Sequence, residues 1–159
     1  PYEWDSFLRE RVYNLAPHAP TNGITTGGWR MAWADSLGPL QKAYETAKKE
    51  VVEDYTLGIT LKDADGSVLD VVPGTPADAA GLAPDMKLVA VNGRRYSNDV
   101  LRDAITASKQ SGRVELLCEN KEFFRSYALD YREGRRHPVL VRDNGVRDFV
   151  SEILAPRTD

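Results

Sequence analysis

The run Asp63-Ala64-Asp65-Gly66 is the first place to look for chemistry, because carboxylates two residues apart before a glycine can open a calcium loop. Such a loop closes with a bidentate carboxylate at its twelfth position, and counting from Asp63 that position is Gly74. The run therefore reads as a hairpin turn in which Gly66 supplies positive φ. Thr25-Thr26-Gly27-Gly28-Trp29 lacks the lysine of a phosphate loop and its strand–loop–helix setting. Cys118 is the single cysteine, in an apolar run with no histidine partner close in pattern, and no Gly-x-Ser-x-Gly occurs. It reads as a buried thiol that excludes an internal disulfide. Arg132, Arg135 and Arg136 beside Glu133 read as a solvated face or a contact with a neighbouring domain. No acid, base, nucleophile or metal set is assembled, so autonomous catalysis has no support.

The elements that could position a site come from a chain of 159 residues, 42% apolar and 28% charged, a globular rather than a disordered composition. The net charge is −3, and the scattered Lys and Arg form no basic stripe for nucleic acid. No apolar run approaches the roughly 18 residues that span a bilayer. The opening Pro-Tyr-Glu-Trp-Asp has neither an initiator Met nor a signal-peptide core, and reads as an internal cut through a longer protein.

Three regions separate by pattern. Residues 1–50 hold Trp4, Trp29 and Trp33. Asp5 is the expected N-cap of a helix with Phe7, Leu8, Val12 and Leu15 at helical spacing, broken by Pro17, Pro20 and Gly23. Trp29, Met31 and Trp33 alternate as in a half-buried strand. Residues 40–54 are charged and helix-friendly, a connector. From Tyr55 to Tyr131 short strands are expected over 56–62, 67–72 and 87–91, the last ending in an Asn92-Gly93 turn. An amphipathic helix follows, with Ser97 as N-cap and Gly112 just past its end, and then a hairpin across Asn120-Lys121. Residues 132–159 form a tail, mostly loop, with a helix carrying Val146, Phe149, Val150 and Leu154 and stopped by Pro156.

Between these strands lies Gly-Thr-Pro-Ala-Asp-Ala-Ala-Gly-Leu, residues 74–82. Thr75 can cap a short helix, Pro76 suits its first position, and Gly81 suits the left-handed residue that ends it. Ala77, Ala79 and Ala80 keep it slim enough to lie against a sheet. In its context of strands and helix, this stretch with Val89-Ala90-Val91-Asn92-Gly93 resembles a PDZ domain of the bacterial, circularly permuted kind, over residues 55 to 131. Such domains usually carry Gly-Asp where this chain has Asp85-Met86, and Asp tolerates the left-handed turn.

The resemblance implies peptide binding by strand addition. Thr56-Leu57-Gly58-Ile59 would form the carboxylate-binding loop, with Leu57, Gly58 and Ile59 at the carboxylate. Thr60 and Leu61 would pair with the ligand along an exposed strand edge. Either Val100 or Leu101, with Ile105, would line an apolar side-chain pocket on the helix; core packing is the competing role for Leu101 and Ile105.

The flanks Pro-Tyr-Glu-Trp-Asp…Gly-Gly-Trp-Arg-Met-Ala-Trp and Leu-Asp-Tyr-Arg-Glu-Gly-Arg-Arg-His-Pro…Ile-Leu-Ala-Pro-Arg resemble the C-terminal region of glycyl aminopeptidase-type zinc metallopeptidases. That family's zinc site uses His-Glu-x-x-His on a helix. Neither His18, followed by Ala-Pro-Thr, nor His137, followed by Pro-Val-Leu, begins that motif, and both read as loop residues. Zinc is thus expected in a catalytic domain of the parent protein, and no cofactor within residues 1–159.

The expected fold is mixed β/α, a PDZ-like partly open β-barrel or sandwich with two short helices over 51–131. A small α/β segment over 1–50, a catalytic-region remnant plus connector, precedes it, and a tail with a helix over 132–159 follows. The expected role is a peptide-binding, non-enzymatic module of a zinc aminopeptidase-type protein, with a peptide or protein C-terminus and its own catalytic domain as partners. The alternative is a structural or regulatory domain whose groove is filled by the chain itself or by the catalytic neighbour. A bacterial cytoplasm or periplasm fits equally.

Overall fold

The computed structural model describes residues 3–15 and 19–156, so the expectations placed on Pro17 and His18 lie outside the described residues. In chain order the elements are α1 (Trp4–Tyr13), α2 (Asn22–Thr26), β1 (Trp29–Ala34), α3 (Pro39–Lys48), β2 (Glu50–Glu53), β3 (Ile59–Lys62), β4 (Val68–Val71) and α4 (Pro76–Ala80). They continue with β5 (Lys87–Val91), β6 (Arg94–Arg95), α5 (Asn98–Ser111), β7 (Arg113–Asn120), β8 (Phe123–Asp130), β9 (His137–Arg142) and α6 (Phe149–Leu154). The sheets run β1-β9, β2-β3-β4 and β6-β5-β7-β8, and none closes into a barrel. The fold is mixed α/β, and β3 to β8 follow the order that the PDZ resemblance implies.

The chain divides into two compact units, Pro1–Met31 with Leu140–Asp159, and Ala32–Val139. In the second unit local chemistry sets the corners. Ser97 is extended, and its hydroxyl accepts the Val100 N–H at 3.2 Å, which starts α5. Asp85 takes φ 70 where the family pattern has glycine, and Asn92 takes φ 48 ahead of Gly93. Thr75 starts α4 without capping it: its hydroxyl donates to the Val72 carbonyl at 2.6 Å, while Asp78 accepts the Gly74 N–H at 2.8 Å. The β7–β8 hairpin is the longest ladder, from Arg113 opposite Asp130 to Asn120 opposite Phe123. One apolar cluster joins the elements, with Ile59, Leu61, Leu88, Val91, Leu101, Ile105, Val114, Leu116 and Leu129 buried. Cys118 belongs to it, and burial pushes its thiol up to about 11.

Three sequence expectations need correction in this unit. Residues 40–54 are not one helical connector: α3 stops where Lys49 turns left-handed at φ 58, and β2 follows. The β-branched pair Val51-Val52 overrides the charged composition once β3 is beside it. Secondly, residues 137–142 are strand β9 rather than loop, and His137 is 1% exposed. Its ring lies 3.2 Å from Arg135 Nη2; because arginine only donates, Nε2 must accept and the imidazole is neutral. Burial, then the nearby Arg135, holds its pKa below the usual value. Thirdly, Arg135 is half-buried, and Arg136 lies 4.0 Å over the Trp33 ring, so neither is a simple solvated charge.

The first unit is organised differently. The helix expected from Asp5 starts at Trp4, and Asp5 instead pairs with Arg9 at 2.8 Å. Strand β1 begins in this unit and Trp33 belongs to the other; the Trp29, Met31, Trp33 alternation gives a strand but not a buried stripe, for Met31 and Trp33 are 46% and 50% exposed. The tail helix is α6, capped by Asp148, whose carboxylate accepts the Ser151 N–H at 2.9 Å and the Trp29 indole N–H at 2.9 Å. Those bonds, with Arg142 3.3 Å away, hold Asp148 below the usual carboxylate range. Arg142 also donates to the carbonyls of Gly28 and Val146. No helix among the described residues is long and apolar enough to cross a membrane.

Candidate functional site

The loop expected to receive a carboxylate is built as a tight corner. Gly58 sits at φ +83, and a Cβ there would lie 2.0 Å from Thr75 Oγ1, so only glycine fits. The corner is tied to its surroundings by the Leu57 carbonyl, which accepts the Ala77 N–H at 2.9 Å, and by the Gly58 carbonyl, which accepts the Val72 N–H at 2.9 Å. The first of these also satisfies a donor at the start of α4.

Most of the nominated side chains are wholly inside. Leu57, Ile59, Leu61, Leu101 and Ile105 are fully buried in the core, and Val100 is partly buried against it. Thr60 is 9% exposed and donates its hydroxyl to Asp54 at 2.7 Å. Of the two alternatives on α5, Leu101 faces the core and Val100 is the half-accessible one.

The strand expected to be an edge is not one. β3 lies between β4 and β2, and β2 runs antiparallel to it in register Glu50↔Lys62, Val51↔Leu61, Val52↔Thr60 and Glu53↔Ile59. Alternate β2 side chains go inward: Val51 is 2% and Glu53 1% exposed, while Glu50 and Val52 are half-buried. The Glu53 carbonyl accepts the Gly58 N–H at 2.9 Å and the Thr56 N–H at 3.2 Å. These are backbone donors of the loop that was expected to receive a terminal carboxylate.

Sequence reasoning missed the polar cluster that seats this strand. The Glu53 carboxylate accepts the Thr56 hydroxyl at 2.8 Å and Arg102 Nε of α5 at 3.3 Å. Arg102 also forks onto Glu45 of α3 at 2.7 and 2.9 Å, and Glu45 in turn accepts the Val52 N–H at 3.0 Å. Burial raises the Glu53 carboxyl above its ordinary value of 4.5, against the lowering effects of Thr56, Arg135 and Arg102. Arg102 is held further in its charged form by Glu45 and Glu53. The available signal was Val51-Val52-Glu53, two residues before Thr56-Leu57-Gly58-Ile59: an apolar pair and an acid ahead of a strand that needed a partner. Among the described residues no group of three or more His, Cys, Asp or Glu could hold a metal ion.

No protein-family model matches the chain, and no curated protein matches it. Among solved structures it is similar to an aminopeptidase N family protein from Idiomarina loihiensis, with TM-score 0.57 and 15% identity. That match covers 98% of this chain and 26% of the other, so the chain spans about a quarter of that protein's length. The likeness is one of fold. A second similar structure is the HtrA3 PDZ domain bound to a phage-derived ligand (FGRWV), with TM-score 0.35 and 16% identity over 74% of this chain and 96% of that domain.

Proposed function

We propose that residues 50–131 are a PDZ-like module whose strand-addition groove is filled by the chain's own β2. It then acts as a structural or regulatory part of a glycyl aminopeptidase-type zinc metallopeptidase and docks on the catalytic domain of that protein. The observation that carries this reading is the antiparallel pairing of β2 with β3, with the Glu53 carbonyl on the Gly58 amide. The five-residue connection from Glu53 to Ile59 keeps β2 at millimolar or higher effective concentration beside its groove. An outside chain end of ordinary affinity does not compete with that. On this reading zinc is held by the catalytic domain of the parent protein, and the described residues are assigned no part in binding it.

The test is a titration of the isotopically labelled chain with peptides ending in free apolar carboxylates, alongside the same peptides amidated. The amides of Leu57 to Leu61 and of Val100 to Ile105 are expected to stay unshifted at millimolar peptide. Shifts there that vanish on amidation would instead establish an open groove that captures C-termini, the reading in which Leu57, Gly58 and Ile59 hold the carboxylate and Thr60 and Leu61 pair with the ligand.

A further inference from the structure

We infer that β2 is a built-in copy of the ligand class this groove accepts: an internal extended segment with a small apolar residue, any residue, then a carboxyl or carboxamide side chain, as in Val51-Val52-Glu53. The inference rests on the closed-groove reading above and goes beyond it by stating what could replace β2.

Three features of the seat define that class. The register puts Val51 opposite Leu61, and Val51 shares the cluster with Leu101 and Ile105, so that position takes an apolar side chain of limited size. Two residues on, the side chain meets the Thr56 hydroxyl and Arg102, both of which donate, so that position requires an acceptor. An apolar or basic residue there would leave Arg102 facing a dry wall or a like charge. The third feature is the backbone. The loop amides of Thr56 and Gly58 are satisfied by an amide carbonyl from a chain that runs on into Asp54, with no terminal carboxylate involved. A continuing chain therefore suits the groove as well as an ending one.

Glu and Gln both meet the acceptor requirement. They differ in titration, because the groups around this position are Arg102 from α5, Arg135 ahead of β9, Tyr131, and Glu45 behind Arg102. Their net effect with burial is to raise the carboxyl, so a seated Glu takes up a proton that a seated Gln does not. A Glu-bearing segment thus binds more tightly as pH falls through the raised value of the seated carboxyl towards 4.5, and a Gln-bearing one stays level.

The test opens the groove and refills it in trans. Two forms of the whole chain are prepared, one with residues 50–53 replaced by Gly-Ser-Gly-Ser and one carrying Val51→Asp, which puts a charge where the side chain is 2% exposed. The probe is the acetylated and amidated peptide Lys-Lys-Glu-Val-Val-Glu-Asp-Tyr, a copy of residues 48–55, with versions bearing Gln, Leu or Lys in place of its second Glu. Both opened forms are expected to bind the Glu and Gln peptides within about threefold of each other near neutral pH, and the Leu and Lys peptides at least about tenfold more weakly. The unaltered chain should bind all four at least about tenfold more weakly than the opened forms. Equal binding of the Leu or Lys peptide overturns the acceptor requirement while leaving the closed groove standing. No binding by a folded, opened form overturns the inference outright, as does failure of both opened forms to fold, for β2 would then be an inseparable part of the core. Shifts in the unaltered chain from peptides with free carboxylates overturn the closed-groove reading itself.

Discussion

In the unit Ala32–Val139, Leu57, Ile59, Leu61, Leu101 and Ile105 are wholly removed from solvent, whereas none of the described apolar side chains in the other unit is buried. Leu8, Val12, Leu15, Ile153 and Leu154 of that other unit are 54%, 70%, 102%, 79% and 76% exposed. What orders it is polar: Asp148 holding Ser151 and Trp29, and Arg142 reaching the carbonyls around Gly28. One unit is stabilised by apolar area taken from water, roughly 25 cal/mol for each Å². The other depends on directional bonds near solvent, which are individually weak and screened by salt. A substitution of one size should therefore have very different consequences in the two units.

The largest expected effect is in the core. Leu101→Ala removes a fully buried side chain from α5 and should cost about 3–4 kcal/mol in urea unfolding. Gly58→Ala is next, at about 2–3 kcal/mol, from the positive φ and the overlap with Thr75. Thr75→Gly in the same chain should recover part of that loss if overlap is the cause, and none if the backbone angle alone matters. Arg102→Ala follows at about 2 kcal/mol, because it leaves the Glu53 carboxylate, 1% exposed, without its ion-pair partner.

A smaller effect is read from pH. The folded carboxyl of Glu53 is raised, so the native state holds a proton that the unfolded chain has lost. Its contribution is fully present below about pH 4.5 and is lost as pH rises through the folded value. The melting temperature of the parent chain relative to Glu53→Gln should decline across that window and then stay level. His137 works in the opposite sense: its lowered folded value gives stability that is present above pH 6.5 and lost as pH falls below it. The smallest effect closes the comparison. Leu15→Ser, at an exposed position of the first unit, should change stability by no more than about 0.5 kcal/mol. A loss as large as that for Leu101→Ala would show that the first unit has an apolar core after all.

Legibility in the sequence followed the same division between local and tertiary causes. Ser97, Gly112 and the Asn92-Gly93 turn were readable because each needs only its own neighbours to explain its backbone, whereas the left-handed Asp85 was expected through the resemblance. β2 was hidden because Glu50-Val51-Val52-Glu53 has the charge of the helix before it, and becomes a strand only when Leu61 and Ile59 stand opposite. β9 was hidden in a similar way, since Pro138 and the preceding Gly134 and arginines carry a loop signature while β1 supplies the pairing. Of the nominated site residues, Leu57, Ile59, Leu61, Leu101 and Ile105 are interior and belong to the common core. A sequence pattern marks a groove's framework; it does not reveal whether the groove is vacant. Glu53, Glu45 and Arg102 went unnoticed because their meeting depends on α3, β2 and α5 coming together.

The short connection between β2 and β3 also fixes an order of events. A hairpin with so small a loop closes in about 1–10 μs and uses only residues near one another in the chain. α5, which forms the facing wall through Arg102, begins at Asn98, 36 residues after β3 ends at Lys62, and is made later during synthesis at roughly 5–20 residues per second. The two strands can therefore meet before their second wall exists, and the pairing becomes stable when α5 packs on it. Any segment that is to occupy the site in place of β2 must displace a tenant tethered beside it by only five residues.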